Sequence, residues 1–153
     1  MYAEENLRNM GICLESVDRS GKSVIPVRRY RNTLFVSGHG PVGINGEALV
    51  KGRVGIELSE DQAVEAARLT AVSMLRTLKD YLGDLDYVGE WVKVLGLFNS
   101  GGDFYNMPKC LNGFSQVIVK TFGVRGCHAR AAMGAPNHES GYAVMIDAVL
   151  KIR

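Results

Sequence analysis

Arg130 stands in the run Gly126 to Gly134, GCHARAAMG, where no other residue is permanently charged and nearly all the rest are small or apolar. A guanidinium cannot shed its charge, so it needs an anionic partner or a route to water. The run itself contains no Asp or Glu, and a substrate carboxylate held in a bidentate fork is one partner that chemistry allows. If the run is a strand, Cys127, Ala129, Ala131 and Met133 share one face, and His128, Arg130, Ala132 and Gly134 the other. The second face suits solvent as well as a cavity, and the pattern alone puts a solvated or ion-paired arginine ahead of a ligand arginine. The histidines and cysteines lack metal-ligand spacing, and Cys127 and His128 would point to opposite sides of a strand, so no metal is expected. Cys110 and Cys127 read as small core residues rather than nucleophiles.

At 153 residues the chain is expected to be a single domain, 1–153, with residues 1–20 as an N-terminal extension of it. Its formal net charge of +2 comes from mixed acids and bases, which argues against nucleic acid and for a small partner. Arg28, Arg29 and Arg31 around Tyr30 form a basic cluster that could touch RNA, but such clusters on strands are usually a solvated face. Cys13, Cys110 and Cys127 form an odd set without C-x-x-C pairing, which fits free thiols in a reducing compartment. The acidic, polar start MYAEENLRNMG resembles no signal peptide, and no apolar run approaches the roughly 20 residues of a membrane span. The expected location is the cytoplasm, without a membrane.

The elements that must position Arg130 follow from turn and periodicity signals. Residues 3 to 10 predict a short helix ended by Gly11. Val24 to Tyr30 and Thr33 to Val36 predict two strands around an Arg31-Asn32 turn, followed by Ser37-Gly38-His39-Gly40-Pro41. Ala48 to Val54 reads as a strand or extended run. Ser59-Glu60-Asp61-Gln62 has capping-box spacing and opens a long helix that Gly83 closes. Its stripe of Val64, Ala67, Ala71, Met74, Leu75, Leu78 and Leu82 reads as core. Tyr87 to Asn99 predicts a strand, Pro108 to about Phe122 a second helix, and Gly126 to Gly134 and Tyr142 to Ile152 the last two strands. This order predicts an α+β fold with one mixed sheet covered on one face by two helices, the other face buried in an oligomer.

Several segments resemble the RidA/YjgF ("endoribonuclease L-PSP") family, in its longer branch. They are Val36 to Pro41, Gly52 to Gly55, Glu65 to Arg68, Gly83 to Leu85, Val92 to Gly96, Leu111 to Gly113 with Phe122-Gly123, and His128 to Arg130. Together these span roughly residues 20 to 152. The resemblance implies a chorismate-mutase-like fold, a homotrimer with a central barrel-like core, and three clefts between subunits. It implies hydrolysis of enamines and imines such as 2-aminoacrylate to a 2-keto acid and ammonia, with no cofactor. The family's carboxylate-binding arginine falls on Arg130, its backbone donor on Gly38 and a cleft asparagine on Asn112. Where the deaminase branch has a tyrosine, a cysteine and a water-placing glutamate, this chain has Val24, Ala132 and Met145.

Methionine cannot accept a proton, so hydrolysis would need another base. Asp147 lies two residues beyond Met145, roughly 7 Å along the strand, though an ion pair with Arg130 from a neighbouring strand is the preferred reading for it. His39, His128, His138 and Glu139 are the remaining candidates, and a histidine bonded to a backbone carbonyl is the commoner outcome for His128. Two functions therefore stand side by side. One is a deaminase of low or altered activity; the other is a non-catalytic trimer that binds a small carboxylate metabolite. Ribonuclease activity rests on the family label and the Arg28 to Arg31 cluster alone.

Overall fold

The computed structural model describes residues 2–18 and 25–153. Five strands form one sheet in the order β1 (Val27–Tyr30), β2 (Thr33–His39), β5 (Val144–Ile152), β3 (Val88–Phe98), β4 (Ala129–Gly134). All neighbours are antiparallel except β3 and β4, which run parallel because a helix connects them. The helices are α1 (Tyr2–Asn9), α2 (Glu60–Leu82) and α3 (Met107–Phe122). The mixed sheet with helices on one face matches the sequence expectation, and α1 is a third helix of that layer, tied to α2 by Lys79 on Glu4 at 2.8 Å. The Asp86 carboxylate accepts from the first N–H groups of α1, at 2.6 Å from Tyr2 and 2.9 Å from Ala3.

Helix α2 begins as its sequence dictates. Ser59 Oγ accepts from the Gln62 N–H at 3.2 Å, and the Ser59 N–H donates to Gln62 Oε1 at 2.8 Å, which completes the capping box. Gly83 ends the helix at φ 79°, its N–H returning to Lys79 O. Ala67, Ala71, Met74, Leu75 and Leu78 are fully buried, so the apolar stripe is core.

Several boundaries differ from expectation, β2 reaching His39 rather than Val36 and β5 starting at Val144 rather than Tyr142. Ala48 to Val54 is not a strand and makes only isolated bridges, because Gly46, Gly52 and Gly55 take positive φ around and within it. The first strand starts at Val27, while Val24 lies outside the described residues. Gly123–Gly126 form a 3₁₀ turn, so the Arg130 strand starts at Ala129. Cys127 is exposed rather than core, whereas Cys110 is buried and its thiol pushed up to about 11. Among the described residues no helix is long and apolar enough to cross a membrane, and no cluster of potential metal ligands occurs.

Strand register fixes which side of the sheet each residue takes. Arg130, Val94, Ala148 and Val36 form one row across four strands, and the last three are buried under the helices. The alternate rows, with Phe35, Leu95, Leu97, Met133, Met145 and Val149 beside Lys93 and Asp147, form the open face. Phe35 and Met133 are 48% and 56% exposed there.

Helix α3 sits unusually close to its neighbours. A Cβ on Gly113 would lie 2.1 Å from the Val64 carbonyl oxygen of α2, and one on Gly96 would lie 2.7 Å from Leu111 Cδ1. Glycine inside a helix costs about 0.5–1 kcal/mol relative to alanine, a cost that the close crossing explains. Replacing Gly113 by alanine should destabilise the protein by at least about 2 kcal/mol, measured as a lowered urea midpoint at unchanged slope. A neutral or stabilising change would show that α3 can shift freely.

Candidate functional site

Arg130 reaches inward, onto α3. Its Nη1 donates to Ser115 Oγ at 3.0 Å, and its Nη2 to Asn112 Oδ1 at 2.7 Å and the Pro108 carbonyl at 3.1 Å. Residues 108, 112 and 115 follow helical i, i+4, i+7 spacing, so one face of α3 presents all three acceptors. Nε–H and one Nη1–H remain uncommitted, since the side chain has five donors. The guanidinium is thus positioned from one side and open on the other. Among the described residues no carboxylate pairs with Arg130, so the ion-paired reading does not describe it; the guanidinium lies on the helix side of the sheet, partly exposed and held by neutral acceptors.

His128 extends this network. Its Nδ1 lies 2.6 Å from the Gly126 carbonyl and its Nε2 3.0 Å from Ser115 Oγ. A carbonyl can only accept, so Nδ1 carries the proton and Nε2 accepts the Ser115 O–H, which leaves Ser115 Oγ to accept from Arg130. Burial lowers the His128 pKa; the Gly126 carbonyl opposes this and the Arg130 charge adds to it. A neutral imidazole is therefore what the network requires and what its surroundings favour.

The second cluster lies elsewhere. Gly38, His39, Glu139 and Met145 line a cavity of about 1000 Å³ beside β2 and α2, and neither Arg130, Asn112 nor Ala132 reaches it. His39 is held by the Ser37 carbonyl at Nδ1 (2.6 Å) and by Thr77 Oγ1 at Nε2 (2.8 Å), which ties β2 to α2. Met145 Cε lies 3.1 Å from where a Cβ on Gly38 would stand, so the methionine closes over this glycine. Glu139 is exposed at the rim, in a 3₁₀ turn whose Ser140 is forced to φ 52°. His138 is not in this cavity; its Nδ1 is buried without a partner, and burial lowers its pKa.

Asp147 belongs to neither cluster. It stands opposite Leu95 on the open face, while Arg130 is on β4 and on the helix side, so the expected pair does not form. The reason is topological: β5 pairs with β2 and β3, never with β4. Desolvation raises the Asp147 pKa against the opposing charge of Lys93. Ala132 sits opposite Gly96, packed against the core. Arg28, Arg29 and Arg31 are exposed on and beside the edge strand β1, with Arg31 5.4 Å from the Tyr30 ring centroid.

Two residues escaped sequence reasoning. Ser115 could have been found from its spacing to Asn112 on a helix preceding the arginine strand. Arg76 lines the cavity with Ser73 and Thr77, and these three interrupt α2 at i, i+3, i+4 spacing next to its apolar stripe.

No family model matches the chain. It is 31% identical over 148 residues to "Protein TCP17" of Trypanosoma cruzi, covering 96% of this chain and 92% of that protein. Its fold superposes with TM-score 0.91 on protein Atu1372 of Agrobacterium tumefaciens, a protein of unknown function, at 32% identity over 99% of this chain and 94% of that one. It superposes equally, at 0.91, on a Shewanella oneidensis protein provisionally named an endoribonuclease, at 22% identity over 99% and 100% of the two chains.

A pH dependence follows from His128. Its folded pKa lies below the unfolded value near 6.5, so the unfolded chain binds more protons in the window just below pH 6.5. Stability should be level above that pH and decline as pH falls through the folded value. In urea unfolding between pH 7 and 5, His128→Gln should flatten part of this decline, with His138 supplying the remainder. An unchanged slope would mean that His128 is not held neutral.

Proposed function

The chain belongs to the RidA/YjgF family, and from that premise we propose that it hydrolyses small 2-imino acids to 2-keto acids and ammonia in clefts between the subunits of a homotrimer. The observation that carries this reading is the separation of the two clusters. Arg130 and Val36 are three strand spacings apart, about 14 Å, and the Gly38 cavity lies beyond Val36. A three- or four-carbon acid cannot span that distance. A second copy that brings its Arg130 to the Gly38 cavity of the first removes the difficulty, and the open apolar face supplies a surface for such packing.

In the assembled cleft Arg130 binds the substrate carboxylate through Nε–H and its remaining Nη1–H. Ser115, Asn112 and the Pro108 carbonyl hold the guanidinium still, so little side-chain entropy is lost on binding. Gly38 offers its backbone N–H, which no side chain of its own can screen. Water adds to the C=N carbon as Glu139 accepts its proton. Glu139 passes that proton to nitrogen and then takes the O–H proton of the carbinolamine as the C–N bond breaks, so ammonia leaves and the keto group forms. Glu139 thereby takes the place of the glutamate that Met145 replaces.

Met145 also favours a second reading, a carboxylate-binding trimer without turnover, because its methyl group closes over Gly38 where water would be placed. The two readings separate on one assay. Ammonia release from freshly generated 2-aminoacrylate should be lowered roughly thirtyfold or more in kcat/KM by Arg130→Ala, a loss of about 2 kcal/mol. Glu139→Gln should lower kcat by about a hundredfold. Turnover untouched by Arg130→Ala would sink the deaminase assignment. Stabilisation by pyruvate without release from any imine would establish the binding protein. Sedimentation equilibrium should return three times the 16.7 kDa chain mass; a monomer would remove the shared cleft.

A further inference from the structure

Arg76 projects from the middle of α2 into the lining of the Gly38 cavity. Among the described residues it makes no hydrogen bond and no ion pair, and its Nε is fully buried without an acceptor. Such a group is costly to keep, because a buried N–H of a cation that meets neither water nor an acceptor forfeits its hydration. Its neighbours do not repay that cost. Thr77, one residue on, has its hydroxyl 2.8 Å from His39 Nε2 and 3.3 Å from the Ser73 carbonyl, and Glu139 lines the same cavity without pairing to Arg76. Asp18, the other acid of the lining, is engaged elsewhere. Arg130, by contrast, already has three protein acceptors. The guanidinium most in need of an anion is therefore the one that none of the family motifs points to.

We infer that Arg76 is a second anion anchor, so that the ligand of this cleft is a 2-imino or 2-keto acid bearing an acidic group on its side chain. The inference rests on the shared cleft proposed above and adds a substrate class to it. Charge complementarity argues for this class. The iminium form of an imino diacid carries two carboxylates and one cationic nitrogen. The cleft offers two guanidiniums, Arg130 and Arg76, and one uncommitted carboxylate, Glu139. A monocarboxylic substrate would leave Arg76 as it stands, buried in part and unpaired. The cavity of about 1000 Å³ has ample room for a five-carbon diacid. The Arg76 anchor belongs to the subunit that supplies Gly38, while Arg130 comes from its neighbour. The distance between the two anchors would therefore select chain length.

The test compares 2-oxoglutarate with pyruvate by titration calorimetry on the intact protein, and 2-iminoglutarate with 2-iminopropanoate in the ammonia assay. Wild type should bind the diacid at least tenfold more tightly than the monoacid. Arg76→Met, which keeps most of the side-chain volume, should bring that ratio close to one, and Arg76→Lys should restore part of it. Equal affinity for the two acids in wild type, or a preference that survives Arg76→Met in a protein with unaltered circular dichroism, would overturn the inference. The two proposals fail separately. An Arg76-dependent diacid preference without hydrolysis of either imine refutes the deaminase and leaves this inference standing. Hydrolysis with no diacid preference refutes this inference and leaves the deaminase.

Discussion

The crossing of α3 over α2 and β3 is the contact on which the rest of the structure depends. Gly113 brings the helix backbone against the Val64 carbonyl, and Gly96 makes a hollow in the sheet that Leu111 fills. Only at that distance can the 108–112–115 face of α3 meet a side chain rising from β4, the edge strand. The aromatic cluster of Trp91 with Phe114 and Phe122, at centroid distances of 6.0 and 5.9 Å, fills the remaining space beneath the helix. Packing and site are therefore one problem here: the small residues that let the layers approach also fix where the arginine can point.

The electrostatics of the molecule divide along the same lines. Arg130 is a charge surrounded by neutral acceptors, steadied by a serine whose own proton is committed to a neutral histidine. Such an arrangement orients a cation without quenching it, which an internal carboxylate would do. Asp147, an acid that would quench it, is kept on the opposite sheet face by strand register and away from β4 by strand order. Arg76 is a charge with even less compensation, placed in a cavity where Ser37, His39 and Thr77 are bonded to other groups of the lining. Both guanidiniums have donors to spare, but only Arg130 is held in place by protein acceptors.

Much of the fold was legible in the residues. The capping box at Ser59, the stop at Gly83, the apolar stripe of α2 and the Pro108 start of α3 are local signals, read from neighbours within four or five positions. Register and face were not legible in this way. The alternation within Gly126 to Gly134 sorted its side chains into two correct sets, but nothing in the run says which set meets the helices. The extended run Ala48 to Val54 misled for a related reason, since strand-like composition does not supply a partner strand, and three glycines with positive φ turn the chain away.

The site shows the same division. By itself the sequence determined that Arg130 must be accounted for and that Gly38, Asn112 and His128 to Arg130 stand in segments resembling a known family. Only the tertiary structure decided that Arg130 and the Gly38 cavity lie apart within one chain, that Ser115 and His128 steady the arginine, and that Arg76 enters the cavity without a partner among the described residues. The physical reason is range. Helix periodicity, caps and turns arise from interactions a few residues apart, whereas strand order, layer spacing and the pairing of charges depend on contacts between segments tens of residues apart. The sidedness of Arg130 and the placement of Arg76 in the cavity are properties of that second kind.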